Sequence, residues 1–464
     1  MDLRELRSEK KITISNLSQQ LKISEKRIKI VERGLDIPSL SEVRKITDYF
    51  EIPEIDIEYF NKRKKALVVG EGYVTAKGAN QKIYEPKNII KSNKLKVLDL
   101  FSGIGGLSYG FEMTDSFQTI GGLDLLDDRI QTFTENHKSA YGFCFDINET
   151  NPSVLEPFLY ENPNIIVGGA PCQGFSSIRP FRGLNENDKR NDLFKSYAIY
   201  LNHFKPDWFV FENVVGLLTH KNGDTLKILL REFESIGYKV DFRILNTAYY
   251  GVPQFRERLI VVGNKNKIKF DWPKPTHYYD YNSMAGINNE YVLKPNKDEG
   301  LPIAIPIMDA LSDLPALKSG EKSTKYLRNE LSEYQIFLRN ESAKLTLHEA
   351  TIHSEKMLEI IKQSGYNINA VKHLVTSGFS SSYSRLEPDR PSVTLTVNFV
   401  NPSSNKCIHP IQNRALTPRE GARIQGFPDK FSFKGTKTQI VKQIGNAVPP
   451  VFSRKIAEEI FKYY

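Results

Sequence analysis

The first fifty residues and the rest of the chain differ in how apolar side chains recur. In residues 1–60, leucine, isoleucine and valine return every three or four positions, which predicts a compact all-α domain. From Lys96 onward, short apolar runs alternate with longer stretches of helical period. That alternation predicts an α/β domain built on a doubly wound parallel sheet. The chain is therefore expected to join a small helical domain to a larger α/β domain.

Within the helical domain, Ile14–Leu21 and Glu25–Glu32 are separated by a three-residue turn that ends in Ser24, a suitable N-cap. This unit resembles the Cro/phage-repressor type of helix-turn-helix domain, which places its second helix in the DNA major groove. The resemblance implies that Lys26, Arg27 and Lys29 are exposed and bind DNA. A small helical bundle used only for protein contacts is the alternative, because residues 1–60 carry 11 basic and 12 acidic residues.

In the α/β domain, polar residues follow successive predicted strands. The strand Lys96–Leu100 leads into a glycine-rich turn, Ser102–Gly106, where backbone N–H groups can approach a ligand. A dinucleotide-binding fingerprint would place its third glycine at 108, but Ser108 is there. Asp124 follows the next strand at the spacing of a ribose-binding carboxylate, and Asp146 follows the third. These strand ends predict a nucleoside site at one edge of the sheet.

A cysteine stands at the end of a further predicted strand. The apolar run Ile165–Val167 stops at two glycines and leads to Pro171-Cys172 in a loop rich in Gly, Ser and Asn. Such a cysteine is placed to meet a ligand, although most unpaired cysteines are small buried apolar residues. The chain has 3 cysteines, an odd number at wide spacing, which fits neither a disulfide framework nor a zinc site. No metal site is predicted.

Six motifs then occur in one order between residue 96 and the C-terminus, and together they resemble the signature motifs of the DNA cytosine-5 methyltransferases. They are Asp99–Leu107, Pro171–Ser176, Glu212–Val214, Gln254–Arg258, Leu416–Glu420 and Gln443–Pro450. The resemblance implies a Rossmann-like methyltransferase domain and S-adenosylmethionine as the cofactor. It also implies a smaller target-recognition domain.

The resemblance assigns the catalytic residues. Cys172 is expected to be the nucleophile, because a thiolate that adds to carbon 6 of cytosine makes carbon 5 reactive toward a methyl donor. Glu212 is placed at ring nitrogen 3 and the exocyclic amine, where it would stabilise the charge created by attack. Arg256 and Arg258 are two apart, so a strand would present them on one side. One is expected at the cytosine carbonyl oxygen, and the other is expected to anchor the site.

The resemblance also assigns the cofactor residues. Phe101 would pack against adenine, and the turn would surround the methionine portion. Asp124 would bind the ribose hydroxyls, Asp146 the adenine amino group, and Ile147 would pack on the ring. The complete predicted set is Phe101, Ser102, Gly103, Ile104, Gly105, Gly106, Asp124, Asp146, Ile147, Pro171, Leu193 and Asn446.

The domain boundaries follow from these motifs and from the charge. Residues 61–94 are expected to be a basic linker, since residues 61–96 hold ten basic against two acidic residues in a chain of net charge +9. Basic segments release counterions on DNA. Residues 95–272 would form the first part of the catalytic domain, 273–440 the target-recognition domain, and 441–464 the return to the catalytic domain. Thr394 and Leu395 match a family signature near the DNA.

The sequence therefore predicts a DNA cytosine-5 methyltransferase that flips its target base out of the duplex. It is expected to protect DNA from a cognate nuclease and to act as a monomer on target DNA. Its N-terminal domain is expected to bind an operator as a dimer. An RNA (tRNA) cytosine-5 methyltransferase and a transcriptional repressor with a degenerate enzyme domain are the alternatives. The sequence has neither a signal pattern nor a long apolar run, so a cytoplasmic location is expected.

Overall fold

The computed structural model describes residues 2–33, 38–53, 73–74, 80–170, 193–283, 290–327, 331–340, 342 and 344–464. Two predicted features lie outside the described residues: the Pro171–Ser176 motif with Cys172, and half of the basic linker, namely 61–72 and 75–79. Within the described part of the chain, no helix is long and apolar enough to cross a membrane.

The N-terminal unit contains four described helices, whose bounds are α1 (Leu3–Glu9), α2 (Ile14–Leu21), α3 (Glu25–Glu32) and α4 (Leu40–Phe50). Local sequence fixes where they begin. The Ser24 hydroxyl accepts from the Arg27 backbone N–H at the start of α3, and Ser39 and Glu42 form a reciprocal capping box at the start of α4. Their apolar faces are buried, and they form one continuous apolar cluster with part of the α/β domain.

The α/β domain is built on a nine-stranded sheet of order β1-β2-β5-β4-β3-β6-β7-β9-β8. Its strands are β1 (Tyr73–Val74), β2 (Asn80–Tyr84), β3 (Leu95–Leu100), β4 (Phe117–Asp124), β5 (Tyr141–Cys144), β6 (Ile165–Gly168), β7 (Trp208–Val214), β8 (Lys239–Asn246) and β9 (Glu257–Asn264). The five central strands are parallel, but β9 is antiparallel to both β7 and β8, and β2 is antiparallel to β5. The predicted parallel sheet is therefore wrong at both edges, and the sheet is mixed.

The strand order reverses at β3, which pairs with β4 on one side and β6 on the other. Connections to the two neighbours leave the sheet on opposite faces at such a point, so a crevice opens beyond the carboxyl ends of the strands. The register places Asp99 of β3 opposite Gly122 and Val167. The ends of β3, β4, β5, β6 and β7, which carry the predicted site residues, therefore lie along this edge.

Helices cover both faces of the sheet. They are α5 (Gly106–Glu112), α6 (Asp127–Asn136), α7 (Leu193–Phe204), α8 (Gly216–Thr219), α9 (Asp224–Ser235) and α15 (Pro450–Phe461). The last one confirms the predicted C-terminal helix, and it packs against α5, so the end of the chain does return to the sheet. Single 3-10 turns occur at Pro152–Val154, His220–Gly223, Thr247–Tyr250, Lys297–Glu299 and Ile368–Leu374.

The described α-helices and strands between residues 304 and 447 are α10 (Met308–Leu311), α11 (Glu333–Arg339), α12 (Glu355–Gln363), β10 (Ser384–Arg385), β11 (Lys406–Ile408), α13 (Pro418–Ile424) and α14 (Lys437–Asn446). A second apolar cluster joins α10, α11, β11, α13 and α14. The cluster includes Ile104 from the glycine-rich turn, so this region packs directly against the predicted cofactor site. The predicted boundary at 440/441 falls inside α14 and is wrong.

Strand β2 corrects the predicted linker. Residues Asn80–Tyr84 lie within the segment assigned to a linker, yet they pair with β5 through Lys82–Tyr84. Lys82 also forms a 3.2 Å ion pair with Asp127 at the start of α6. Part of the basic charge in 61–94 therefore belongs to a strand of the sheet and not to a linker.

Candidate active site

The glycine-rich turn after β3 has an unusual backbone. Phe101, Gly103 and Gly105 all have positive φ, at 54°, 54° and 82°. Such angles are strained for a residue with a Cβ, which explains the two glycines. The Ser102 N–H donates to Leu123 O at 2.9 Å, and the Gly105 N–H donates to Ser102 O at 2.8 Å. The turn therefore folds tightly back over the ends of β3 and β4.

Asp124 ties this turn to the end of β4. One carboxylate oxygen accepts the Gly103 N–H at 2.9 Å, and the other accepts the Leu126 N–H at 2.9 Å. Arg129 lies 3.9 Å away, and burial raises the pKa of the Asp124 carboxyl. The Asp124 carboxylate thus lies directly beside the turn.

The next strand end lies on the same edge. The half-buried Asp146 accepts the Asn148 N–H at 3.0 Å, while Ile147 is buried in the apolar cluster beside it. Leu193 begins α7 and packs against that cluster, as does Phe101. Three predicted cofactor residues from three separate segments, Phe101, Ile147 and Leu193, therefore belong to or pack against one apolar cluster. Leu125 and Leu126, which follow Asp124, remain 51% and 41% exposed and were not predicted as site residues.

Two features of the turn fit a bound ligand. The Ser102 hydroxyl is buried and has no hydrogen-bond partner within the described protein. A Cβ placed on Gly103 would meet nothing within 4 Å, so open space lies over this residue. An unsatisfied buried hydroxyl beside open space is stable only if another polar group reaches it. The residues at the turn are therefore compatible with a polar cofactor.

The end of β7 supplies Glu212, which pairs with Arg258 of β9. The Arg258 Nε lies 2.7 Å from Glu212 Oε1, and the two side chains are only 13% and 12% exposed. The other oxygen, Oε2, would lie 2.8 Å from a Cβ on Gly169, two residues after β6. The Asn213 amide donates to Ala170 O at 3.2 Å. Glu212 and Asn213 therefore hold the backbone immediately before Pro171-Cys172.

Arg256 has a different role from Arg258, although the two were predicted together. Its side chain is buried, and its guanidinium donates to Leu395 O at 3.3 Å, Gly445 O at 3.2 Å and Asn446 O at 3.4 Å. Burial, reinforced by the charge of Arg258, lowers the pKa of Arg256 well below its ordinary value. Strand β9 begins only at Glu257, so the predicted common strand face is wrong. Arg256 anchors the site, and Arg258 faces it.

Gln254 was not predicted individually as a site residue. It connects the active-site segment that contains Arg256 to residues 394–395 and to the end of α14. Its side-chain oxygen accepts the Leu395 N–H at 2.9 Å, and its amide donates to Gln425 at 2.9 Å. Gln425 in turn donates to Ile444 O at 2.7 Å. Thr394 donates to Phe255 O at 2.7 Å. These bonds fix residues 394–395 and the end of α14 against the active-site segment.

The structure places three further predicted site residues, Leu395, Thr394 and Asn446, in different surroundings. Leu395 is only 2% exposed, so its side chain is part of the core and does not face DNA. Thr394 is half-buried and bound to Phe255. Asn446 is exposed at the end of α14, where its carbonyl accepts from Arg256.

The predicted DNA-binding residues of the N-terminal unit also differ among themselves. Lys26 is exposed, and Lys29 is exposed with Glu25 3.6 Å away. Arg27 is half-buried, and its guanidinium donates to both oxygens of Glu42 at 2.9 and 3.0 Å. The expectation that Arg27 is exposed is therefore wrong, because the arginine joins α3 to α4.

Metal ligands are not assembled in the part of the chain that the structure describes. Those residues contain no group of three or more His, Cys, Asp or Glu side chains that could hold an ion. Cys144 and Cys407 are both buried, and burial raises the pKa of the Cys144 thiol to about 12. Neither described cysteine is therefore suited to act as a thiolate at neutral pH.

Comparison with known proteins identifies the family of this chain. The family model for C-5 cytosine-specific DNA methylases matches residues 95–462. The Type II methyltransferase M1.HphI of Haemophilus parahaemolyticus is 32% identical over 386 residues, covering 82% of this chain and 90% of its own length. The Type II methyltransferase M.AgeI of Thalassovita gelatinovora is 30% identical over 430 residues, covering 79% and 99%.

A solved structure shows the same fold. It is described as a DNA modification methyltransferase encoded within an E. coli prophage, with a TM-score of 0.61 and 25% identity, and it covers 80% of this chain and 99% of its own. The chain belongs to the C-5 cytosine-specific DNA methylase family, and its enzyme class is DNA (cytosine-5-)methyltransferase.

Proposed function

We propose that this enzyme transfers a methyl group from S-adenosylmethionine to carbon 5 of a cytosine flipped out of a specific short duplex sequence. The observation that carries the proposal is the Glu212–Arg258 pair, in which Glu212 lies against Gly169, three residues before Cys172 in the sequence. Relatives named Type II methyltransferases support a role as the modification partner of a restriction endonuclease.

In the proposed reaction, the Cys172 thiolate forms a bond to carbon 6 of the cytosine. The 5,6 electron pair shifts to a double bond between carbons 4 and 5, and the 3,4 pair shifts to ring nitrogen 3, where Glu212 supplies a proton. Arg258 donates to the cytosine carbonyl oxygen while it holds Glu212 in place. Carbon 5 would then take the methyl group as the 3,4 double bond reforms and the nitrogen 3 proton returns to Glu212. Loss of the carbon 5 proton to a base reforms the 5,6 double bond, breaks the carbon 6–sulfur bond and releases the Cys172 thiolate.

The cofactor would supply an electrophilic methyl group bound to a sulfonium. Asp124 would accept the ribose hydroxyls, and Asp146 would accept the adenine amino group. The Ser102 hydroxyl and the open space over Gly103 would receive the methionine portion. The exposed Leu125, next to Asp124, offers an apolar surface for the adenine ring.

Target recognition is proposed for residues 273–440. The hydrogen bonds of Gln254 and Arg256 to residues 395 and 445–446 fix this region to the active-site segment. Such a connection lets the region that selects a sequence set the position of the flipped base. Flipping costs about a few kcal/mol, which contacts in the pocket must offset.

A regulatory role is proposed for the N-terminal unit, supported by the capped α2–turn–α3 arrangement with Lys26 and Lys29 exposed on α3. Full-length protein should protect a two-fold symmetric site upstream of its own gene in a footprint. The double variant Lys26→Glu/Lys29→Glu should lose that protection and still methylate plasmid DNA. The matched control is Lys11→Glu, an exposed lysine outside α3 that should bind normally. Protection unchanged in the double variant would exclude this role.

The catalytic proposal is tested by transfer of a radiolabelled methyl group from S-adenosylmethionine to plasmid DNA and, in parallel, to tRNA. Label should enter DNA at cytosine carbon 5, and Glu212→Gln should reduce transfer at least a hundredfold. Label in tRNA but not DNA would support the RNA alternative. No label in either would support the repressor alternative.

A further inference from the structure

Beneath the glycine-rich turn lies a buried polar cluster of four residues that the mechanism above does not use. It consists of Asp99 at the end of β3, Ser108 and Glu112 on α5, and His137 immediately after α6. The His137 side chain is fully buried, Ser108 and Asp99 are 0% and 1% exposed, and the Glu112 side chain is 26% exposed. The three buried groups must be satisfied by neighbouring protein groups, so their contacts determine their protonation.

The contacts of His137 Nε2 leave one protonation state for that nitrogen. It lies 3.3 Å from Gly105 O and 3.3 Å from the Ser108 hydroxyl oxygen. A carbonyl only accepts. The Gly105 carbonyl therefore requires a hydrogen on Nε2. The Ser108 hydroxyl, which donates to Asp99 Oδ2 at 2.6 Å, can accept from the same nitrogen.

The other ring nitrogen faces an acceptor as well. His137 Nδ1 lies 3.1 Å from Glu112 Oε2, as an ion pair and not as an aligned hydrogen bond. The second Glu112 oxygen accepts the Thr119 N–H at 3.0 Å, which orients the carboxylate. If Nδ1 carried a lone pair and no hydrogen, that lone pair would face the Glu112 carboxylate oxygen 3.1 Å away, which would be repulsive. A ring with acceptors at both nitrogens is best satisfied as an imidazolium.

His137 also touches the turn itself. Gly105 is the N-cap of α5, and a Cβ on it would overlap the His137 and Phe133 rings. Phe133 stacks on the imidazole at a centroid distance of 4.4 Å, and Tyr109 meets it edge-on at 5.9 Å. The ring therefore supports the turn from below, and its Nε2–H is positioned to hold the Gly105 carbonyl.

We infer that His137 is an imidazolium held between Glu112 and the Ser108–Asp99 pair, and that it is a positioning residue for the cofactor turn. The role in cofactor binding rests on the function proposed above. If the ring lost its proton, the support of the Gly105 carbonyl or the pairing with Glu112 would be lost. The turn that carries Ser102 and Gly103 would then loosen, and cofactor affinity would fall.

The charges around the ring agree with this inference. Glu112 and Asp99 raise the pKa of His137, although its burial acts in the opposite direction. Burial raises the pKa of Asp99 to about 7, and the nearby Asp124 adds to this rise, so Asp99 titrates within the same pH range. His137 in turn lowers the pKa of Glu112. Burial raises the pKa of Tyr109 to about 12, so its hydroxyl stays neutral and adds no charge beside His137. A group with a raised pKa gives its stabilisation below that pKa and loses it as pH rises through it.

The direct test is a pH titration of the full-length protein labelled with ¹⁵N-histidine, in which the His137 resonances are identified by their absence in His137→Gln. The His137 ring nitrogens should report an imidazolium at pH 7. In Glu112→Gln, which keeps an oxygen for the Thr119 N–H, the midpoint should move at least one pH unit lower. A neutral His137 ring at pH 7 would overturn the inference without touching the proposed function.

Cofactor binding is measured by isothermal titration of S-adenosylmethionine between pH 6 and 10. Wild-type affinity should decline as pH rises through the NMR midpoint, and in Glu112→Gln the decline should move to lower pH in parallel. The His137→Gln variant should bind at least tenfold more weakly with no such decline. Identical pH profiles in all three proteins would refute the positioning role. Failure of every protein to bind the cofactor at any pH would instead refute the proposed function.

Discussion

The ion pair between Glu212 and Arg258 is expected to be among the stronger single interactions of the active site. Its atoms are 2.7 Å apart, and both side chains are close to 90% buried. Removing one partner of a buried pair costs about 3–5 kcal/mol, because the other charge is left without a counter-charge. Because both side chains are slightly exposed, the cost for this pair should lie near the lower end of that energy range. Arg258→Met should therefore reduce the free energy of unfolding by about 3 kcal/mol.

A double-mutant cycle with Arg258→Met and Glu212→Gln separates the pair from its surroundings. The coupling energy should be about 2–3 kcal/mol, measured by urea unfolding followed through tryptophan fluorescence. Trp208 is 1% exposed and lies on β7, the strand that carries Glu212, so its emission reports this part of the sheet.

The matched control is the pair Arg454–Glu458, which has a similar distance of 2.8 Å but side chains that are 42% and 35% exposed. The same substitutions there should give a coupling of at most about 0.5 kcal/mol. If the Glu212–Arg258 coupling is no larger than this, burial does not strengthen the pair, and the proposed positioning of Glu212 by Arg258 is wrong.

Three further results are expected. Asp124→Ala should weaken S-adenosylmethionine binding in calorimetry by about 1.5–3 kcal/mol, because a charged acceptor is lost; unchanged affinity would mean that the ribose site is misplaced. Gly105→Ala should lower the melting temperature more than Gly103→Ala, since both have positive φ but only the first adds a Cβ that overlaps another side chain; equal shifts would contradict the packing. Arg27→Ala should destabilise the N-terminal helices by about 1 kcal/mol or more in far-ultraviolet circular dichroism, whereas an exposed DNA contact would leave them unchanged.

Sequence was sufficient where structure depends on neighbours along the chain. Ser24 and Ser39 cap helices within three residues of themselves, and the apolar runs that end at Leu100, Asp124 and Gly168 are strands. The glycine-rich turn was predictable for the same reason, because positive φ angles require particular residues locally.

Strand direction and edge strands were not predictable. An apolar run such as that of β9 shows that a strand is buried, but its antiparallel pairing with β7 depends on contacts about fifty residues apart. Strand β2 carries Asn, Gln and Lys, so its sequence does not show the apolar pattern of a sheet strand, although Ile83 is buried.

The separate roles of the two arginines also needed the fold. Arginine is mostly exposed in proteins, and nothing near Arg256 in sequence indicates that its guanidinium is buried. Its carbonyl partners come from residues 139 to 190 positions later. The same holds for Arg27, whose partner Glu42 is 15 residues away in another helix.

In the proposed mechanism, Cys172 adds to carbon 6 of cytosine in DNA. The most direct measurement is covalent trapping on duplex DNA that carries 5-fluorocytosine at the methylated position, with S-adenosylmethionine present and the products resolved on a denaturing gel. Fluorine cannot leave as a proton, so the wild-type enzyme should form a stable protein–DNA adduct whose cross-linked peptide contains Cys172. Cys172→Ala should bind the DNA, form no adduct and transfer no methyl group. Measurable methylation by Cys172→Ala, or an adduct at another residue, would contradict the account.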